Sequence, residues 1–377
     1  MKWSLLRPSK AFCLIAALVA AALTSTAAWS VVPPKNGEAV KSSLAQSSLL
    51  LGVVRAGKRI VAVGEYGNIV LSDDDGKTWR QANKVPTTLT LTSLHFVSDK
   101  EGWAVGHDSI VIHTTDGGEN WTKQFGGGKA NTDAALLSVF FKDAQNGMAV
   151  GAFNYTIETK DGGKTWAERK SLMPSRAPPK KIEIAEEDAI DSVVSVAPTA
   201  ENDPFATTGT DENHLNTIFG GADANTIFVA AEGGAVYRSG DAGATWKKIY
   251  TGYIGSFWGG LTAKDGSVYV TGMRGNVWRS TDQGNTFKKV DTSGADQSVA
   301  GGAQLKDGRL VFVGLGGQVL YSADGQKYTL TYRADRKGLS AVIEDTDKLY
   351  VFGEAGVQDQ SHQPNPADIE APPTGSK

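Results

Sequence analysis

The segments of this chain that could do chemistry are short, and each breaks off before its site is complete. Asp73-Asp74-Asp75-Gly76 has the composition of a calcium loop. Setting Gly76 at the sixth position, however, puts Leu71 at the first and Ala82 at the twelfth, so two oxygen ligands are missing. Gly76-Lys77-Thr78 and Gly163-Lys164-Thr165 end like a phosphate-binding loop, but the glycine required earlier in such a loop is Leu71 in one and Glu158 in the other. The histidines, at 95, 107, 113, 214 and 362, form no H-E-x-x-H pair, and Ser298 has Asp296 where a nucleophile elbow requires glycine. Glu65, Glu232 and Glu354 could supply the two carboxylates of a glycosidase, a pairing that spacing along the chain does not establish. The sequence predicts no catalytic residue, no metal site and no small-molecule cofactor.

The Asp-Gly segments are instead copies of one another. The pattern S/T-x-D-x-G-x-T-W occurs with Asp74 and Trp79, Asp116 and Trp121, Asp161 and Trp166, Asp241 and Trp246, and Asp282 and Phe287. A worn copy runs from Ser322 through Asp324 and Gly325 to Tyr328. The closing aromatics are 42, 45, 80, 41 and 41 residues apart, a period that denotes propeller blades or a solenoid. The chemistry is that of a tight turn: the aspartate accepts bonds from the turn's own amides, and glycine takes the left-handed position. The aromatic gives each small sheet a large apolar body to pack on the next. These ten Asp and aromatic residues are read as structural.

A second turn recurs ahead of each first one, beginning at Gly64, Gly106, Gly151, Ala231, Gly272, Gly314 and Gly353. Short β-type runs flank both turns, as in Leu50-Leu-Gly-Val-Val54, Arg59-Ile-Val-Ala-Val63 and Asn68-Ile-Val-Leu71. The prediction is an all-β, seven-bladed β-propeller with four-stranded antiparallel blades over 47–357. The 80-residue step contains an insertion, 167–212, rich in proline and split between basic and acidic halves; it is expected to form a lid or binding loop. The final blade lacks a fourth strand, and the arm at 29–46 is expected to supply it so that no sheet edge is left open. The tail, 358–377, is expected to be disordered.

Residues 1–28 read as a secretory signal peptide: Lys2, Arg7 and Lys10, an apolar run from Ala11 to Leu23, and cleavage after Ala27 or Ala28. The one cysteine, Cys13, lies in that run, so disulfide, thiol and zinc-thiolate chemistry is not expected of the mature chain. Net charge is −3 for the whole chain, and the mature part has 35 basic against 41 acidic residues, so no basic field recruits nucleic acid. The protein is expected in the periplasm, or in the thylakoid lumen of a photosynthetic host, as a monomer.

In a four-stranded blade the second-to-third turns and the blade connections share one face. That face collects Glu65, Tyr66, His107, Asp108, Phe153, Asn154, Glu232, Met273, Arg274, Leu315 and Glu354, with Arg333, Arg336 and Lys337 from a connection. A partner-binding face is expected at Arg274, His107, Asp108, Tyr66, Asn154, Glu232, Arg333 and Arg336. Each of these also reads plainly as a solvated rim residue or as one that bonds a neighbouring loop. The cluster Tyr250, Tyr253, Phe257 and Trp258 fits inter-blade core as well as a contact patch.

The Asp-containing turns resemble the Asp-box, or BNR, repeats of sialidases and many other propellers. Leu94-His-Phe-Val-Ser98-Asp-Lys-Glu-Gly102-Trp-Ala-Val-Gly106 and its echo Leu137-Ser-Val-Phe-Phe141-Lys-Asp-Ala-Gln-Asn-Gly147-Met-Ala-Val-Gly151 resemble more closely the repeat of the photosystem II stability and assembly factor family, over about 47–357. The resemblance implies a non-catalytic lumenal scaffold that binds early photosystem II intermediates, with Arg274, Arg333 and Arg336 as the counterpart of an arginine-rich patch. For a host without a photosystem it implies an accessory to envelope assembly or to a resistance-nodulation-division type transporter. A sialidase-like glycoside hydrolase is the competing class, but its F/Y-R-I-P segment does not occur. A shared fold does not carry an activity. The reading adopted is an exported, non-enzymatic propeller that binds a membrane-protein complex or an envelope transporter subunit.

Overall fold

The structure, a computed structural model, describes residues 37–127, 134–169, 171–172, 213–345 and 348–360. Seven antiparallel sheets follow one another along the chain and make a seven-bladed β-propeller, with blades at 50–81, 91–125, 136–169, 215–250, 257–289, 299–332 and 339–360. Six have four strands in chain order from the axis outward, and the seventh has three among the described residues. Of the expected segments, the signal at 1–28, most of the insertion (173–212) and most of the tail (361–377) lie outside the described residues.

Each second strand is a nearly unbroken apolar run, such as Arg59–Gly64, Gly102–Gly106 and Leu310–Gly314, because blades cover both of its sides. Alternation fades for the same reason that it does in any sheet covered on both faces. Every innermost strand carries one extra residue near its start, with register shifts at Leu50/Gly52, Leu91/Ser93, Leu215/Thr217, Phe257/Gly259, Val299/Gly301 and Leu339/Ala341, and opposite Val150/Gly151 in the third blade. These bulges bend the strand into the ring. They also bring the inner backbone against the next turn: a Cβ on Gly64 would lie 1.9 Å from the Leu49 carbonyl oxygen, and one on Gly106 2.0 Å from that of Thr90.

The aspartate turns have one hydrogen-bond set. In the first blade the Ser72 hydroxyl donates to Asp74 (3.0 Å) and accepts the Gly76 amide (2.8 Å), while Asp74 accepts the Thr78 amide (2.9 Å) and hydroxyl (2.6 Å). The same bonds recur around Asp161, Asp241 and Asp282. Trp79, Trp121 and Trp246 then donate Nε1 to the turn glycine's carbonyl at 3.0, 2.8 and 3.0 Å. The turns of the second to sixth blades also receive a donor from the blade before: Arg59 to Gly117 O (3.1 Å), Gln124 to Gly162 O (2.9 Å), Arg169 to Gly243 O (2.9 Å), Arg238 to Gln283 O (2.7 Å) and Arg279 to Asp324 O (3.3 Å). The turns thus finish one blade and dock the next.

The ring closes by packing of whole faces. Trp79 of the first blade meets Tyr350 and Phe352 of the last edge-on, at 6.4 and 5.8 Å between ring centres. Ser340 donates to Leu50 O at 2.6 Å, and Arg55 pairs with the buried Asp345 at 2.8 Å. The arm, expected as a closing strand, forms no strand over 37–46, and 29–36 lie outside the described residues. From the short turn Ala45–Ser47, which touches Gly356 through the Gln46 carbonyl, it runs away from the last blade along the first: Ser42 N donates to Gln81 Oε1 (2.7 Å) and Ala39 N to Val85 O (3.0 Å).

Asp161 and Asp241 are held down to about 2, from an ordinary value of 3.8, first by the hydroxyl of Thr165 or Thr245 and then by that residue's amide. A lowered carboxylate stabilises the fold above its unfolded value and ceases to do so as pH falls through the folded one. Thermal denaturation followed by circular dichroism should therefore show stability lost between about pH 4 and pH 2. Asp241→Asn should lower the melting temperature at pH 7 and flatten the curve through that window.

Candidate functional site

Six of the seven second-to-third turns place two successive residues in the left-handed region: Tyr66-Gly67, Asp108-Ser109, Phe153-Asn154, Gly233-Gly234, Arg274-Gly275 and Gly316-Gly317, with φ from 53° to 69°. This is the geometry of a type I′ hairpin, which glycine and asparagine occupy readily. Tyrosine, phenylalanine and arginine do so at a cost of roughly 1–2 kcal/mol each. Yet Tyr66 and Phe153 are 72% and 68% exposed, and Arg274 is exposed as well. Side chains kept in a strained backbone without burying apolar surface point to function rather than packing.

Five of these six turns are latched to the connection entering the next blade, the last through the Gly317 carbonyl, which accepts the Arg333 amide at 2.8 Å. Ser109 N donates to Ala134 O (3.0 Å), Asn154 N to Asn213 O (2.9 Å), Gly234 N to Gly255 O (2.6 Å) and Gly275 N to Gln297 O (2.8 Å). Turns and connections therefore share a face, and the turn tips are held at fixed positions around its mouth. Ile254, in the connection after the fourth blade, is 77% exposed on the same face; Met273 and Leu315 add 37% and 39%.

The expected site residues differ in their surroundings. His107 and Asp108 are exposed on the second blade. Among the described residues no carboxylate pairs with Arg274; beneath it Tyr253 donates its hydroxyl to Met273 O at 3.1 Å. Burial pushes that hydroxyl above its usual range, against the opposing effect of the Arg274 charge. Arg336, also left-handed at φ 54°, lies over the Tyr332 ring at 4.2 Å, and Tyr332 donates to Asp296 at 2.9 Å. Arg333 is turned inward, with Asp335 at 3.1 Å and Gln360 at 2.5 Å. Phe257 is fully buried between blades, Tyr253 packs on it at 5.0 Å, and Trp258 faces the axis.

Glu232 holds a residue that the sequence did not single out as a site member. Its carboxylate accepts the His214 amide at 2.9 Å and meets Nδ1 at 3.1 Å, and the imidazole lies edge-on to Phe153 at 4.9 Å. No spacing announces this trio, which spans the third and fourth blades; Ile254, set between Gly252 and Gly255, could have been noticed as a large apolar residue in a loop. Among the described residues no group of three or more His, Cys, Asp or Glu could hold a metal ion. What the face offers is exposed apolar tips, two guanidinium groups without a carboxylate partner among the described residues, and a histidine–carboxylate pair.

The fold defines a seven-bladed propeller protein with its second-to-third turns and blade connections gathered on one face. Residues 62–125 match the family model described as Photosynthesis system II assembly factor YCF48. The Photosystem II assembly lipoprotein Ycf48 of Synechococcus sp. (strain CC9902) is 36% identical over 66 residues, which are 17% of this chain and 20% of that protein. The match thus spans about a fifth of the curated relative's length. Among solved structures, YCF48 bound to D1 peptide aligns with a TM-score of 0.59 at 16% identity, covering 86% of this chain and 96% of that one. YCF48 from Cyanidioschyzon merolae gives 0.58 at 16% identity, with 85% and 97% covered. Virginiamycin B lyase from Staphylococcus aureus gives 0.62 at 11% identity, with 85% and 96% covered, so the fold is shared with enzymes as well. The chain resembles the photosystem II assembly factor family.

Replacing Tyr66, Phe153 or Arg274 by asparagine removes backbone strain while sacrificing little buried surface. Each variant should melt higher than the wild type, by up to about 1 kcal/mol in urea-unfolding free energy. Unchanged or lower stability in all three would show that these side chains hold the fold together.

Proposed function

We propose that this protein is an exported, non-catalytic scaffold whose turn face binds a subunit of a membrane-protein complex and assists that complex's assembly or stability. The observation that carries the reading is the presence of strained, exposed Tyr66, Phe153 and Arg274 on the face where Arg336 and Ile254 are also exposed. The family match and the curated lipoprotein support an assembly role, and a structure of YCF48 bound to D1 peptide supports recognition of a polypeptide by a propeller of this fold. His107, Asp108, Asn154 and Glu232 complete the proposed surface, together with Arg333, whose carbonyl accepts the Arg336 amide at 3.2 Å. The aspartate turns, as Asp-box repeats, are structural and take no part in binding. The signal-like segment at 1–28 supports export to the periplasm, or to a thylakoid lumen in a photosynthetic host.

Rigidity suits the task, since latched turns lose little conformational freedom when a partner docks. Aromatic and arginine anchors supply most of the energy at such surfaces. With detergent-solubilised membranes of the native host, the immobilised mature protein should retain a specific membrane-protein subunit. Arg274→Glu should reduce that retention by about tenfold or more without lowering the melting temperature, because the guanidinium makes no ion pair among the described residues. Undiminished retention would remove Arg274 from the surface; cleavage of glycosides by the purified protein, with no retained partner, would replace the scaffold reading altogether.

A further inference from the structure

A cavity of about 190 Å³ lies on the propeller axis, and the scaffold reading leaves it unused. Its lining comes from the second, third and fourth residues of the innermost strands, among them Trp258, Ala300, Ser93 and Thr217. Those strands start at the turn face, so the cavity occupies the half of the axis beneath the exposed tips. Three strand positions span about 7 Å, near the reach of a glutamine side chain. No charged side chain lines it.

Two features set its chemistry. The innermost strands are each paired on one side only, so their free edges face the axis with backbone N–H and C=O groups. On the free edge of an antiparallel strand, alternate residues offer an N–H and a C=O side by side. A primary carboxamide has the matching acceptor and donors and can bond both at once. An ammonium or carboxylate would enter with no counter-charge and lose hydration. The lining includes Gly259, Gly260, Gly301 and Gly302 of the fifth and sixth blades, where neighbours such as Phe219, 2.0 Å from a Cβ on Gly260, and Phe312, 2.1 Å from one on Gly302, admit no side chain, so the backbone itself forms the wall there. Trp258 also lines the cavity and offers an indole against which an amide plane can stack.

We infer that the axial cavity is an anchoring pocket for one uncharged carboxamide side chain, glutamine or asparagine, presented by the polypeptide that lies across the turn face. The inference rests on the scaffold reading for its partner, but the pocket can be tested without it. The full mature protein is labelled with 5-fluorotryptophan, and the Trp258 resonance is assigned by its loss in Trp258→Phe. Gly-Gly-Gln-Gly-Gly should shift that resonance saturably, and the peptides with Lys, Glu or Leu at the centre should bind at least about tenfold more weakly. Ala300→Phe and Ser93→Phe fill the cavity from two different blades and should each abolish the shift while the thermal melt stays cooperative; either suffices if the other fails to fold.

Absence of a Trp258 shift, equal shifts from the lysine or glutamate peptides, or a shift that survives in a folded filled variant would overturn the pocket. In the membrane-retention assay, the filled variant should lose about tenfold in partner binding. Undiminished retention by it, with Arg274→Glu still impaired, would overturn the anchoring role and leave the scaffold reading standing. A wild-type protein that retains no partner defeats the scaffold reading alone, and the peptide titration still decides the pocket.

Discussion

A serine or threonine hydroxyl held between an aspartate and a glycine amide is the contact on which the rest of this structure depends. In the first blade Ser72 occupies that place between Asp74 and Gly76, and the same geometry returns around the ring. It closes the outer hairpin over a short fourth strand, as short as Arg80–Gln81, which could not hold itself in place through ladder bonds alone. It also presents the turn carbonyl that the preceding blade's arginine or glutamine reaches. Blade formation and blade docking thereby share one small motif, which explains why the motif is repeated so faithfully while the residues between its fixed positions vary.

The opposite face has the reverse character. There the backbone geometry repeats, but the side chains at equivalent positions are Tyr66, Asp108, Phe153, Gly233, Arg274 and Gly316. Where only geometry mattered, glycine is present; where another residue stands, it is strained, and Tyr66, Asp108, Phe153 and Arg274 are also exposed. The latches to the following connections hold these tips still, so the face combines varied chemistry with little freedom. A surface of this kind would lose little conformational freedom on docking a partner, which is what the proposed scaffold role requires. The axis beneath it is lined by the innermost strands, each paired within its sheet on one side only.

Much of the architecture was legible. Closing aromatics at near-constant intervals, and glycines at the heads of the second turns, predict seven blades, and the structure has seven. The shared face of turns and connections follows from strand count alone. The fourth strand of the last blade was not so accessible: the arm segment 37–46 runs along the first blade, because Gln81 and Val85 offer it backbone-directed bonds that composition does not reveal. The His214–Glu232–Phe153 trio was hidden for the same kind of reason, since its members come from two blades across a long insertion.

The sequence by itself determined everything that is local: the hydroxyl–aspartate turns, the left-handed pairs, and the apolar second strands, since each depends on residues within one hairpin. Only the tertiary structure decided which of the varied residues are free to act. Arg333 and Arg336 look alike in sequence, three positions apart. One is paired with Asp335 and donates to Gln360, and the other stacks on Tyr332 and stays exposed. Whether a charge is spent on its own fold or left exposed depends on how the connection folds back on itself and on what the next blade adds within about 3 Å. Asp335 and Tyr332 come from the same segment and Gln360 from the seventh blade, a conformation that spacing along the chain does not encode.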